Sequence, residues 1–210
     1  MIEKLACSLG RNDEEPNIEL AKLLILNNDA VGIKEIVDGL YNKNKSIAND
    51  CIKVLYEIGN VKPVLITEYV TVFLSLLQSK NNRLVWGGMT ALATIADQKP
   101  KEIYAQLEQI KKAYVSGSVI TIDQCMTVLA KLSNADKEYE KVIFPMLIKH
   151  LLHCRPKEVP QHAERISICL NKDNVSEFIK VMAQRREHLT DTQNKRIEKI
   201  IKQLKKEGLL

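Results

Sequence analysis

Four soft donors crowd one short stretch of this chain: His150, His153, Cys154 and His162. On a helix, His150 and Cys154 stand at i and i+4, near enough to share a cation such as zinc. The order His-x-x-His-Cys fits no standard zinc pattern, however, and it falls where a helical stretch ends, a place where imidazoles commonly meet terminal carbonyls. The expectation is a surface helix terminus, and no metal ligand is assigned. Other chemistry is thinner still. There is no glycine-rich phosphate loop, no His-Glu-x-x-His, no Cys-x-x-Cys and no Gly-x-Ser-x-Gly elbow. No catalytic or cofactor-binding residue is assigned and no cofactor is expected, so the pattern favours binding over catalysis.

Two further groups could recognise a partner. Trp86 is the only tryptophan, and the residues 37 positions before and after it, Asn49 and Asp123, are polar. Such a position suits a side chain that faces water or anchors a partner, or one that folds down on the neighbouring helix. Charge is also uneven. Residues 1–30 carry three basic and six acidic side chains, whereas residues 171–210 carry ten basic and six acidic ones. A candidate basic patch comprises Arg185, Arg186, Lys195, Arg196, Lys199 and Lys202, which would meet phosphates or an acidic protein, or else be a solvated set complementing helix ends. A net charge of +5 and 5% aromatic residues leave little for base stacking.

The elements that must position these residues announce themselves by repetition. Leu55, Leu92 and Leu129 recur at intervals of 37 residues, as do Cys51, Gly88 and Cys125, and Ile58, Ile95 and Leu132. A period of that length marks stacked supersecondary units. Within a unit, Ile47, Cys51, Val54, Leu55 and Ile58 form one helical stripe, expected to close at Gly59-Asn60. Pro63 then opens a partner helix burying Ile66, Val70, Phe73, Leu74 and Leu77; Pro100 repeats its position 37 residues on. Gly88, in register with the two cysteines, is expected to let first helices approach closely. Asn174 with Glu177, and Thr190 with Gln193, resemble capping boxes.

Paired helices with an apolar seam, an early proline in the second helix and this period resemble HEAT repeats, over roughly residues 14–188 and best over 81–116. The resemblance implies an all-α fold, a right-handed α-α superhelix of about five hairpins (14–42, 44–79, 81–116, 118–154, 156–188) and a capping helix over 190–207, in one domain spanning 1–210. It also implies a protein–protein interaction scaffold whose second helices line the concave side, with Glu68, Thr71, Gln106 and Lys111 facing outward as candidate partner contacts beside Trp86. A different class, nucleic-acid binding, follows from the likeness in architecture to alkylpurine DNA glycosylases, which surround a carboxylate with more aromatics than this chain has. HEAT-type phycobilin lyases share only the repeat. Five unpaired cysteines, no leading signal segment and no apolar run near the roughly 18 residues of a membrane span point to a cytoplasmic protein whose partner is another protein rather than a membrane.

Overall fold

A computed structural model describes residues 1–210, and every regular element in it is helical. The chain forms two compact units, Met1–Cys125 and Met126–Leu210, with the division falling inside one helix. The first unit holds α1 (Glu15–Asn27), α2 (Ala30–Gly39), α3 (Lys45–Val61), α4 (Val70–Leu76), α5 (Asn82–Ile95), α6 (Pro100–Tyr104), α7 (Leu107–Ser116) and the first part of α8 (Val119–Ala135). Its helices form two layers: α1, α3 and α5 pack side by side, while α2 packs on α3, α4 on α5, and α6 beside α4.

Local chemistry sets the helix starts. The Asn44 side chain accepts from the Ser46 amide at 3.0 Å to open α3, Asn81 accepts from Arg83 at 3.0 Å to open α5, and the Ser118 hydroxyl accepts from Thr121 at 3.3 Å to open α8. Each relieves one of the amides that a first turn leaves without a carbonyl. These caps are spaced 37 residues apart, so the repeat extends to the polar residues that delimit the helices. The predicted stripe is the core: Cys51, Val54, Leu55 and Ile58 on α3, and Met89, Ala91, Leu92 and Ile95 on α5, are all fully buried.

Three expectations are corrected in the first unit. First, α3 does not stop at Gly59-Asn60 but runs to Val61. Gly59 is glycine because a Cβ there would collide with the Thr94 hydroxyl of α5. Second, the close approach of the first helices occurs at Gly87, whose Cβ would stand 2.6 Å from Cγ1 of Ile52 on α3. Gly88 instead faces α4, where a Cβ would meet Leu76 at 3.0 Å and the Phe73 carbonyl at 3.1 Å. Third, the partner helix after Pro63 is not one α-helix: Pro63–Tyr69 is a 3-10 stretch that leads into α4.

The second unit holds the rest of α8, then α9 (Lys137–His153), α10 (Val159–Ile166), α11 (Val175–Arg185) and α12 (Asp191–Lys206). α9 packs on α10 and α11, and α10 packs on α12. Thr190 and Gln193 form the expected capping box at the start of α12. Asn174 does not cap α11; its side chain is buried and ties three segments together, accepting from the Asn171 amide at 2.9 Å and donating to Glu140 at 2.8 Å and to the Cys169 carbonyl at 3.0 Å.

Candidate functional site

An open groove of about 720 Å³ runs along the first unit, between the α4–α5 connection and α7. Gln78, Ser79, Lys80 and Asn82 line one side, and Gln106, Gln109 and Lys112 line the other. Its walls are held by polar bonds across elements. Gln109 donates from its side-chain amide to the Leu74 carbonyl, and Asn81 donates to the Asn49 side chain at 2.8 Å. Side-chain amides, hydroxyls and two ammonium groups around an open trough suit an extended polar segment better than an apolar small molecule.

Of the outward residues predicted on second helices, Gln106 lines this groove. Glu68 and Thr71 are exposed elsewhere, on the 3-10 stretch and on α4. Lys111 is half-buried and pairs with Glu108 at 2.7 Å. Gln78, Lys80, Gln109 and Lys112 were not singled out by sequence. The available signal was the run of polar side chains at 78–82, in the break after the second helix of a hairpin.

Trp86 lies outside the groove, half-buried in a ladder built across α1, α3 and α5. The Arg83 guanidinium sits 4.5 Å over the indole, and the Tyr56 ring lies 5.9 Å away at 45°. Arg83 also pairs with Glu14, which pairs with Lys53 at 3.0 Å; Lys53 in turn reaches Glu57 at 2.7 Å and lies 5.0 Å over Tyr56. Burial alone would lower the Lys53 pKa, but the Glu57 and Glu14 carboxylates outweigh it and raise it. Burial likewise opposes ionisation of Glu14, and Arg83 and Lys53 overcome that and hold its carboxyl below the usual value.

In the second unit, the candidate basic patch divides. Arg185 turns inward and donates to the Leu152 and Cys154 carbonyls, capping the end of α9. Arg186 pairs with Glu198 at 2.6 Å, and Arg196 grips both oxygens of Glu164 at 2.8 and 2.6 Å. Lys195, Lys199 and Lys202 are exposed. The soft donors divide too. His153 is exposed and bonds to the Lys149 carbonyl at 2.7 Å, whereas His150 and His162 are buried against each other beside Cys154. The surface helix terminus expected from the spacing therefore describes His153 but not its neighbours: α10 folds back on α9 and covers them.

No protein-family model matches this chain, and no curated protein matches it. Solved structures do. A designed armadillo repeat protein in complex with the peptide (KR)4 is similar over 90% of this chain and 90% of its own, at 12% identity and a TM-score of 0.66. An engineered protein is similar over 98% of this chain and 96% of its own, at 20% identity and a TM-score of 0.60; another aligns over 98% of each chain at 18% identity and 0.63. At such identities the likeness shows the fold alone, an all-helical repeat architecture of the armadillo-like kind. No helix is long and apolar enough to cross a membrane.

Proposed function

We propose that the chain is a HEAT-type, non-catalytic scaffold that binds another protein through the groove of its first unit. The observation that carries this is the polar lining of the groove, Gln78, Asn82, Gln106 and Gln109, with Lys80 and Lys112 among them. The single acid on its wall, Glu108, already pairs with Lys111. The partner segment that fits is extended, so that its backbone meets the amides, and acidic, so that its carboxylates meet the lysines. A similar fold in the designed armadillo repeat protein holds a peptide, which supports the mode of binding, although that peptide is (KR)4, of opposite charge.

The test is fluorescence anisotropy of three labelled probes against the whole chain: an extended Glu/Gln peptide, (KR)4, and a short DNA duplex. The expected result is saturable binding of the acidic peptide alone, weakened about tenfold or more by Lys112→Glu, which reverses one contact charge. Equal binding of the basic peptide, no effect of Lys112→Glu, or retention of duplex DNA in place of peptide at low salt overturns the assignment.

A further inference from the structure

Three side chains of the second unit converge where α9 ends and α10 begins. His150 Nε2 and His162 Nδ1 lie 2.7 Å apart, and one ring nitrogen from each histidine falls with the Cys154 thiol sulfur inside a span of 4.8 Å. His162 is fully buried and His150 is 9% exposed, while Cys154 is half-buried at the edge. Two buried imidazoles at that separation hold one hydrogen between them but not two, since two facing N–H groups would repel in a medium that screens little. One ring nitrogen therefore always offers a lone pair to whatever lies between the rings. A cation that replaces that hydrogen meets two imidazoles and, one step away, a thiol.

We propose that His150, Cys154 and His162 form a binding site for a single zinc ion, with the fourth coordination position open to solvent on the Cys154 side. Two nitrogens and one sulfur suit a borderline-soft d10 ion that imposes no geometry of its own. Tetrahedral zinc, with bonds of about 2.0–2.1 Å to nitrogen and 2.3 Å to sulfur, sets nitrogen atoms about 3.3 Å apart and nitrogen and sulfur about 3.6 Å apart. The rings therefore part by roughly 0.6 Å and the sulfur draws in toward them, shifts within reach of side-chain rotation.

The surroundings allow this movement and hold the frame around it. Cys154 follows the last turn of α9 with φ −64° and ψ 160°, outside the helical rotamer restriction. Its thiol makes only a long 3.8 Å contact with the Leu151 carbonyl, cheap to give up. Its backbone is fixed by Arg185, which donates to the Cys154 carbonyl at 2.6 Å. The turn between the ligands is closed by Glu158, which accepts from the Arg155 amide at 3.2 Å and adds negative charge near His162. On binding, two N–Zn bonds and one S–Zn bond form, and the S–H bond breaks with its proton leaving to solvent. The ring that donated the shared hydrogen loses that N–H bond and takes a proton on its outward nitrogen from water instead, so both neutral imidazoles end with their hydrogen facing away, on Nδ1 of His150 and Nε2 of His162. The ion would pin α9 to α10 in place of the His150–His162 hydrogen bond that joins them in its absence.

The experiment titrates the metal-stripped full chain with Zn2+ against a chromophoric chelator, and separately with Co2+ alone. The expected results are one equivalent of zinc per chain, and a cobalt spectrum with both the strong visible bands of four-coordination and a thiolate charge-transfer band. Cys154→Ser, nearly isosteric at the half-buried position, should abolish the charge-transfer band and lower zinc affinity at least tenfold. His162→Ala should lower it at least as much, and His153→Ala should leave it unchanged. Zinc uptake below half an equivalent, a cobalt spectrum without the thiolate band, or equal affinity in Cys154→Ser overturns the site. If His162→Ala fails to fold, the Cys154→Ser comparison decides alone.

Discussion

Lys53 shows how far a single side chain departs from what its letter announces. It sits in the polar part of the α3 pattern, yet its side chain is only 9% exposed and bridges Glu14 and Glu57. Lys53→Met would leave Glu57 without its partner. Because Glu57 keeps partial access to water, the expected loss is about 1–3 kcal/mol at neutral pH, below that of a fully buried pair. The sign of the pH dependence follows from the two shifts. The lowered pKa of Glu14 contributes stability above the unfolded value of 4.5 that is lost as pH falls through the folded value. The raised pKa of Lys53 contributes stability below 10.5 that is lost as pH rises through its folded value. Urea unfolding of both proteins at pH 7 and at pH 3.5 or so checks this: the penalty of Lys53→Met should shrink toward acid. An undiminished penalty there would mean the ion pairs are not its source. The same ladder holds Trp86, and Trp86→Ala should cost about 2–4 kcal/mol in the same assay, through lost contacts with Tyr56 and Arg83.

At the scale of helices, burial was legible and contact partners were not. A stripe at 3.6-residue spacing says which face is covered, and Cys51, Leu55 and Ile58 are covered as that spacing requires. It does not say which neighbour covers it: the register with Cys51 and Cys125 points Gly88 toward the adjacent first helix, whereas in the fold Gly88 meets α4 and Gly87, one residue earlier, meets Ile52. Gly87→Ala is the sharper test. Alanine gains about 1 kcal/mol of helix propensity over glycine, but a Cβ 2.6 Å from a buried isoleucine carbon forces repacking worth about 1–3 kcal/mol. The net expectation is destabilisation by about 1 kcal/mol, relieved in the double variant with Ile52→Ala, which removes both γ carbons that the new Cβ would meet. A double-mutant cycle by thermal unfolding reads the coupling; additive effects would place the crowding elsewhere. The caps at Asn44, Asn81 and Ser118 carry the same 37-residue interval in plain sight, and only their hydrogen bonds identify them.

For the molecule as a whole, repetition makes architecture readable and leaves function nearly silent. Each hairpin must shield the apolar flank of the next, so the period is imposed by packing, whereas a groove side chain such as Gln109, with Val72 and Met146 at its 37-residue equivalents, lies outside that constraint. The meeting of His150 with His162 was hidden for a related reason: twelve residues separate them, and only the return of α10 onto α9 brings the rings together. The same logic assigns α12 a task at the end of the second unit. Ile197, Ile200 and Leu204 are buried on the side that packs against α10, while Lys195, Lys199 and Lys202 face water. Covering three aliphatic side chains is worth roughly 1.5–3 kcal/mol each as an upper estimate, comparable to the whole stability of many domains. Truncation before Thr190 should therefore lower the unfolding midpoint sharply and promote self-association by exposing α10. Replacing the three lysines by glutamine should leave the midpoint nearly unchanged, because charge on the wet face contributes little. Calorimetry with light scattering on the two variants separates the roles. An unchanged midpoint after truncation would show that α12 covers nothing the unit needs covered.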